Sequence, residues 1–140
     1  MRSLTLTAPL EDLTANRIIS RFGPRNTRGG PGSTNHQGVD IKARPEEPVL
    51  AAAAGTVTFS GRQNGYGTLV ILDHGNGLTT YYAHLFNASV RRGDRVGAGE
   101  AIGRAGKDGT ATTTHLHFEL RRRDKPIDPM PYLMACLRAA

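Results

Sequence analysis

The chain has no tryptophan, one cysteine and few aromatics (6%). Nowhere does it approach the roughly 18 consecutive apolar residues that a membrane helix needs. Each shortage excludes something. A single cysteine, Cys136, rules out an intrachain disulfide and a cysteine-rich structural zinc site. It lies in the apolar stretch Pro131-Tyr132-Leu133-Met134-Ala135-Cys136-Leu137, where it reads as a small packed side chain rather than a nucleophile. With 38% hydrophobic residues in 140, the core is modest and suits one small β-rich domain better than a helical bundle. The N-terminus is too short and too polar for a secretory signal. Export is therefore expected to depend on something outside this chain: a removed leader, a carrier assembly or host-cell lysis.

Positive charge is not lacking. The net charge is +6 and the isoelectric point about 10.1, so an anionic partner is favoured. No basic run is interleaved with aromatics, so nucleic acid is not that partner; a polyanionic cell wall or a membrane surface remains. Glycine (17) and proline (8) turn the chain often. Residues 1–16 read as an N-terminal arm and 17–140 as one domain. Short strands follow at Arg17–Phe22, Val39–Lys42, Val49–Ala52, Thr56–Ser60, Thr68–Asp73, Leu78–Ala83 and Leu116–Leu120. His74-Gly75-Asn76-Gly77 is a hairpin turn. Loops at 26–35 and 106–114 each lead into a histidine segment, and only Pro129–Leu137 looks helical. The pattern predicts an all-β fold of antiparallel sheets with a barrel-like or sandwich core and a short C-terminal helix.

The five histidines carry the chemistry. His36 and Asp40 frame His-Gln-Gly-Val-Asp, His115 and His117 frame His-Leu-His-Phe-Glu, and His84 ends Tyr-Tyr-Ala-His. Strand side chains alternate between faces, so His115 and His117 point the same way, as do His36 and Asp40 if that stretch is extended. Two histidines and an aspartate offer three ligands and leave a fourth position open, the pattern of a catalytic zinc site. Two histidines are left over to move protons. Which of His115 and His117 is the ligand is not decided by spacing. Glu119 shares their parity and is either an acceptor for a ligand's second ring nitrogen, or a surface charge or structural ion pair. His74, in a turn, is expected away from the metal. Gly97-Ala98-Gly99 has the wrong spacing for a dinucleotide fingerprint, and Ala105-Gly106-Lys107-Asp108 lacks the Ser or Thr of a phosphate loop. Arg121-Arg122-Arg123 reads as a solvated turn.

These segments resemble the lysostaphin-type (LytM-like) zinc peptidases. Ser20-x-Phe22-Gly23-x-Arg25 is similar to the family's entry strand. Gly93-Asp94-x-Val96-x-x-Gly99-x-x-Ile102-Gly103 is similar to its barrel turn, and Pro126-Ile127-Asp128-Pro129 to its exit. The likeness covers about residues 17 to 133. It implies Zn²⁺ on His36, Asp40 and His117, with His84 and His115 as the non-ligand catalytic histidines and Arg25 as a substrate or ligand-supporting contact. It implies a peptidoglycan endopeptidase, expected as a monomer at the cell wall, in the periplasm or outside the cell. Thr112-Thr113-Thr114 departs from the family's usual Gly-Pro before His115, which bears on substrate preference. Three alternatives accompany this reading: a catalytically silent module that binds wall or activates other wall enzymes, a phage or secretion-particle component that opens local holes, and a zinc hydrolase of small amides.

Overall fold

A computed structural model describes residues 5–24, 35–109 and 113–138. Twelve strands occur in them: β1 (Ile18–Ser20), β2 (Gly23–Pro24), β3 (Asn35–His36), β4 (Val39–Lys42), β5 (Pro48–Leu50), β6 (Gly55–Gln63), β7 (Gly67–Gly75), β8 (Leu78–Ala88), β9 (Arg95–Val96), β10 (Ala101–Ala105), β11 (His115–Arg122) and β12 (Lys125–Ile127). Ten form one antiparallel sheet whose main path runs β1-β4-β11-β8-β7-β6-β9. β10 pairs with β5 and β8, and β12 pairs with β11. β2 and β3 make a separate two-stranded sheet. The expected all-β antiparallel fold is what forms, as an open sheet and not a closed barrel. The apolar C-terminal stretch folds as α1 (Met130–Leu133) and one turn of 3₁₀ helix (Met134–Cys136).

The hairpin expected after Asp73 is a two-residue turn. Asn76 and Gly77 both have positive φ, at 54° and 78°, the type I′ geometry that matches the twist of its flanking strands. β7 and β8 therefore form long neighbours at the centre of the sheet. Tyr82 of β8 and Phe118 of β11 lie directly opposite one another, their rings 5.4 Å apart and edge to face. Both are fully buried with Val39, Ile41, Leu72, Leu116 and Leu120. This apolar face leaves the opposite face of β4, β11 and β8 for polar groups.

The N-terminal arm is packed onto this core. Leu6, Leu10 and Leu13 are buried, and Leu10 forms a bridge with Val49. The Thr7 N–H donates to the Ala52 carbonyl, and the Leu50 N–H to that of Pro9. The sequence showed no period here because isolated leucines docking on a sheet edge obey none. Leu10→Ala is expected to lower the unfolding free energy by about 2–5 kcal/mol through lost burial and a residual cavity. Urea titration measures this, and a loss below 1 kcal/mol would show the arm to be dispensable.

Candidate metal centre

β4 and β11 pair so that Asp40 lies opposite His117 and Lys42 opposite His115. Opposite residues share a face, so Asp40, His115 and His117 all leave the sheet on the side away from Phe118. His36 arrives differently from expectation. The segment from His36 to Asp40 is not one strand: β3 ends at His36 and pairs with β2, and the chain bends at Gln37–Gly38 before β4. A Cβ on Gly38 would lie 2.3 Å from the Phe118 carbonyl oxygen and 2.8 Å from Glu119 Cγ. Only glycine lets this bend press against β11, and the bend brings His36 Nε2 to 3.3 Å from Asp40 Oδ2.

His84 comes to the same face by a β-bulge. Along β7 and β8, Thr68 pairs with Leu85 and Val70 with Tyr82. Ala83 and His84 therefore oppose Leu69 alone. His84 has φ 62°, and it is the one buried non-glycine residue with positive φ among those described. Such a conformation costs on the order of 1–3 kcal/mol and persists where the surroundings impose it. Here the His84 N–H donates to the Tyr66 carbonyl at 2.9 Å, and ring Nδ1 donates to the Asp108 carbonyl at 2.6 Å. Strict alternation would have sent His84 to the core beside Tyr82. The bulge turns it instead toward His115 and His117, with ring centroids 5.0 and 6.0 Å away.

His36, Asp40 and His117 each present one donor atom, all within 4.8 Å of one another. Four ligands at 2.0–2.1 Å on a tetrahedral zinc lie about 3.3 Å apart, close to the His36–Asp40 spacing above and the 2.8 Å between His117 Nδ1 and Asp40 Oδ1. Two imidazoles and one carboxylate are a zinc-type donor set with room for a fourth ligand. The outer hydrogen bonds suit it. The Arg21 carbonyl accepts from His36 Nδ1 at 3.0 Å, leaving Nε2 for the cluster. Glu119 Oε2 accepts from His117 Nε2 at 2.8 Å, leaving Nδ1. His115 Nδ1 donates to the Thr113 carbonyl at 2.9 Å, and its Nε2 stands 3.6 Å from Asp40 Oδ1. Backbone carbonyls and one carboxylate thus set which nitrogen of each ring faces inward.

Charge follows the same pattern. Burial raises the Asp40 pKa, but hydrogen bonds and charge from His117 and His36 more than reverse this and hold it well below the usual carboxylate range. Burial opposes charge on His117 as well, yet its bonds to Asp40 and Glu119 win and raise it to about 9. Without metal His117 is an imidazolium donating from both nitrogens. His84 moves the other way, pushed down by burial despite its bond to the Asp108 carbonyl, and is neutral at pH 7.

Glu119 is the hub of the supporting groups. Only 1% exposed, it accepts from His117 Nε2, from the Tyr66 hydroxyl (2.8 Å) and from Arg121 through Nε and a terminal nitrogen (2.8 and 2.6 Å). Arg121 also stacks 4.2 Å over the Tyr81 ring. The expectation of a solvated arginine turn holds for the exposed Arg122 and Arg123 and fails for Arg121, which shares the parity of His117 and Glu119. That parity was a readable signal. Tyr66, in the turn before β7, carried none. His74, at the end of β7, binds the Ala54 carbonyl and the Thr80 hydroxyl and is not in the cluster. Arg25, Thr112 and residues 26–34 lie outside the described residues.

The antiparallel sheet thus carries a His/Asp/His cluster with two further histidines beside it. The chain belongs to peptidase family M23, whose model matches residues 34–129. It is 41% identical over 121 residues to DD-carboxypeptidase/endopeptidase Mpg of Neisseria meningitidis serogroup B, covering 86% of this chain and 28% of Mpg. It is 35% identical over 121 residues to murein hydrolase activator NlpD of Escherichia coli, covering 86% of this chain and 30% of that protein. A zinc containing peptidase from Vibrio cholerae has the same fold, with a TM-score of 0.82 and 28% identity over 91% of this chain and 40% of that one. The chain spans under a third of the length of these two curated relatives.

Proposed function

We propose that this domain is a zinc-dependent endopeptidase that hydrolyses peptide bonds in the stems or cross-bridges of bacterial peptidoglycan. The observation that carries the reading is the division of labour among the histidines: two join Asp40 in a three-donor cluster, and two more stand beside it without belonging to it. His36, Asp40 and His117 would hold the metal. When bound, zinc polarises the scissile carbonyl and lowers the pKa of a coordinated water toward 7. His115, whose Nε2 borders Asp40, takes the proton of the attacking water. His84, held at Nδ1 by the Asp108 carbonyl, turns Nε2 to the site; once protonated there, it stabilises the oxygen that gains charge or passes that proton to the leaving amine. Positioned acid–base groups of this kind contribute about 10²–10⁴-fold. The basic surface retains the domain on an anionic wall, and the monomer suffices for every group named.

Similarity to a murein hydrolase activator supports a second reading, in which the domain stimulates other wall enzymes. The filled ligand and proton-transfer positions favour hydrolysis. Zinc per chain and clearing of purified peptidoglycan, with and without chelator, separate the two. One zinc with chelator-sensitive release of cleaved peptides supports the peptidase, and mass spectra identify the bond. Stimulation of a purified amidase without cleavage would establish the activator instead. No zinc would end the central proposal.

A further inference from the structure

We infer that Asp108 is the positioning residue for His84, stapling the segment after β10 onto the start of β7 so that its own carbonyl fixes the orientation of the His84 ring. The inference rests on the proton-transfer role proposed above for His84.

Asp108 falls in Ala105-Gly106-Lys107-Asp108, the stretch that fails as a phosphate loop. Its carboxylate has a different use. Oδ2 accepts from the Thr68 backbone N–H at 3.1 Å and the Thr68 hydroxyl at 2.8 Å, and also from Arg62. Oδ1 accepts from the following Gly109 N–H at 3.0 Å. The carboxylate is thus saturated by groups of β6, β7 and its own turn. The contact is close enough to require glycine on both sides. A Cβ on Gly67 would sit 2.5 Å from the Asp108 carbonyl carbon, and one on Gly109 would sit 2.6 Å from Gly67 N. Gly67 and Gly109 both have positive φ, 67° and 82°.

The consequence reaches His84 from two sides. Its backbone N–H is held by the Tyr66 carbonyl, immediately before Gly67. Its ring is held by the Asp108 carbonyl. The staple between Asp108 and Thr68 locks these two acceptors to one another, so the bulge and the ring share one frame. A neutral imidazole free in water prefers its proton on Nε2. The Asp108 carbonyl forces it onto Nδ1 and leaves the Nε2 lone pair for the site. Arg62 is exposed and contributes little by itself; the hydroxyl and amide of Thr68 are the fixed points.

The test compares Asp108→Ala, Asp108→Asn and Thr68→Val in the zinc-loaded protein. Three readouts are taken: zinc per chain, kcat and KM on a peptidoglycan fragment, and the His84 tautomer from long-range ¹H–¹⁵N correlation. In Asp108→Ala, zinc stays at the wild-type level and His84 changes from Nδ1–H alone to a mixture of tautomers. Its kcat falls about tenfold or more with KM within about twofold, since misplacing a proton-transfer group by about 1 Å costs up to about 10²-fold. Asp108→Asn, whose oxygen still accepts from Thr68, recovers most of the loss, and Thr68→Val falls between. His84 remaining entirely Nδ1–H in Asp108→Ala would overturn the inference, as would loss of zinc in that variant. A scattered tautomer with unchanged kcat would overturn the proton-transfer role of His84 while leaving the staple in place, so the two failures are told apart.

Discussion

His84→Ala is expected to keep its zinc and lose about 10²–10⁴-fold in turnover, whereas Asp40→Ala loses zinc and activity together. The contrast follows from where each side chain sits. Asp40 is the only anion in the three-donor cluster. One carboxylate oxygen meets His117 at 2.8 Å and His115 at 3.6 Å, and the other meets His36 at 3.3 Å. Removing it leaves two imidazoles with no carboxylate among the donors to balance a divalent cation. His84 meets the centre through its ring contacts with His115 and His117, and its ring hydrogen bond points away, to the Asp108 carbonyl. Its loss should leave the donor set intact. Metal analysis after gel filtration, alongside release of peptides from purified wall, measures both effects. Zinc missing from His84→Ala would show that this histidine is a ligand and that the division of roles is wrong. Equal activity in His84→Ala and the parent would remove it from the chemistry.

Zinc affinity should rise about tenfold per pH unit between pH 7 and about 9, then level off. His117 is the reason. In the metal-free protein it is held as an imidazolium, with a pKa raised to about 9, and a cation must displace the Nδ1 proton to use that nitrogen. Each unit below 9 therefore costs a factor of ten, and binding at pH 7 to 8 releases about one proton. Calorimetry in buffers of different ionisation enthalpy counts that proton. The stability of the metal-free protein has the opposite trend. A folded pKa above the unfolded value of 6.5 means that this contribution is complete below pH 6.5 and is lost as pH rises through about 9. Glu119→Gln supplies the check. The amide no longer favours the imidazolium, so less affinity is lost to the proton at pH 7. It also no longer supports the ligand as a carboxylate does, a change that typically costs 10–100-fold in affinity. The deficit of the variant should be small near pH 7 and open fully by pH 9. An affinity independent of pH in the parent would mean that His117 is neutral before metal arrives, and the argument would fail.

Much of this arrangement was legible in the chain, because strand alternation is a local rule. His115, His117, Glu119 and Arg121 share one parity, and they share one face of β11. The spacing of Asn76 and Gly77 between β-branched runs announced the central hairpin. Glycine between His36 and Asp40 was visible, but its purpose was not: only the approach of Phe118 and Glu119 from β11 shows why a Cβ is intolerable there. The likeness to a zinc peptidase family rested on residue types at fixed spacings, which is information the primary structure carries in full.

Three things were decided by the tertiary structure alone. The leucines of the arm have no period, so their burial is apparent only once Val49 and Ala52 are beside them. Tyr66 reaches Glu119 across 53 residues of sequence, a pairing no local pattern encodes. His84 is the clearest case. By alternation it belongs with Tyr82 in the core, and the local sequence Tyr-Tyr-Ala-His-Leu contains no glycine or proline to mark a bulge. The bulge exists because β7 opposes two residues with one, and because carbonyls from Tyr66 and Asp108, distant in sequence, stabilise a left-handed backbone that His84 would not adopt by itself. Periodicity determines which residues can share a face; where the period is broken, long-range hydrogen bonds determine which face it is.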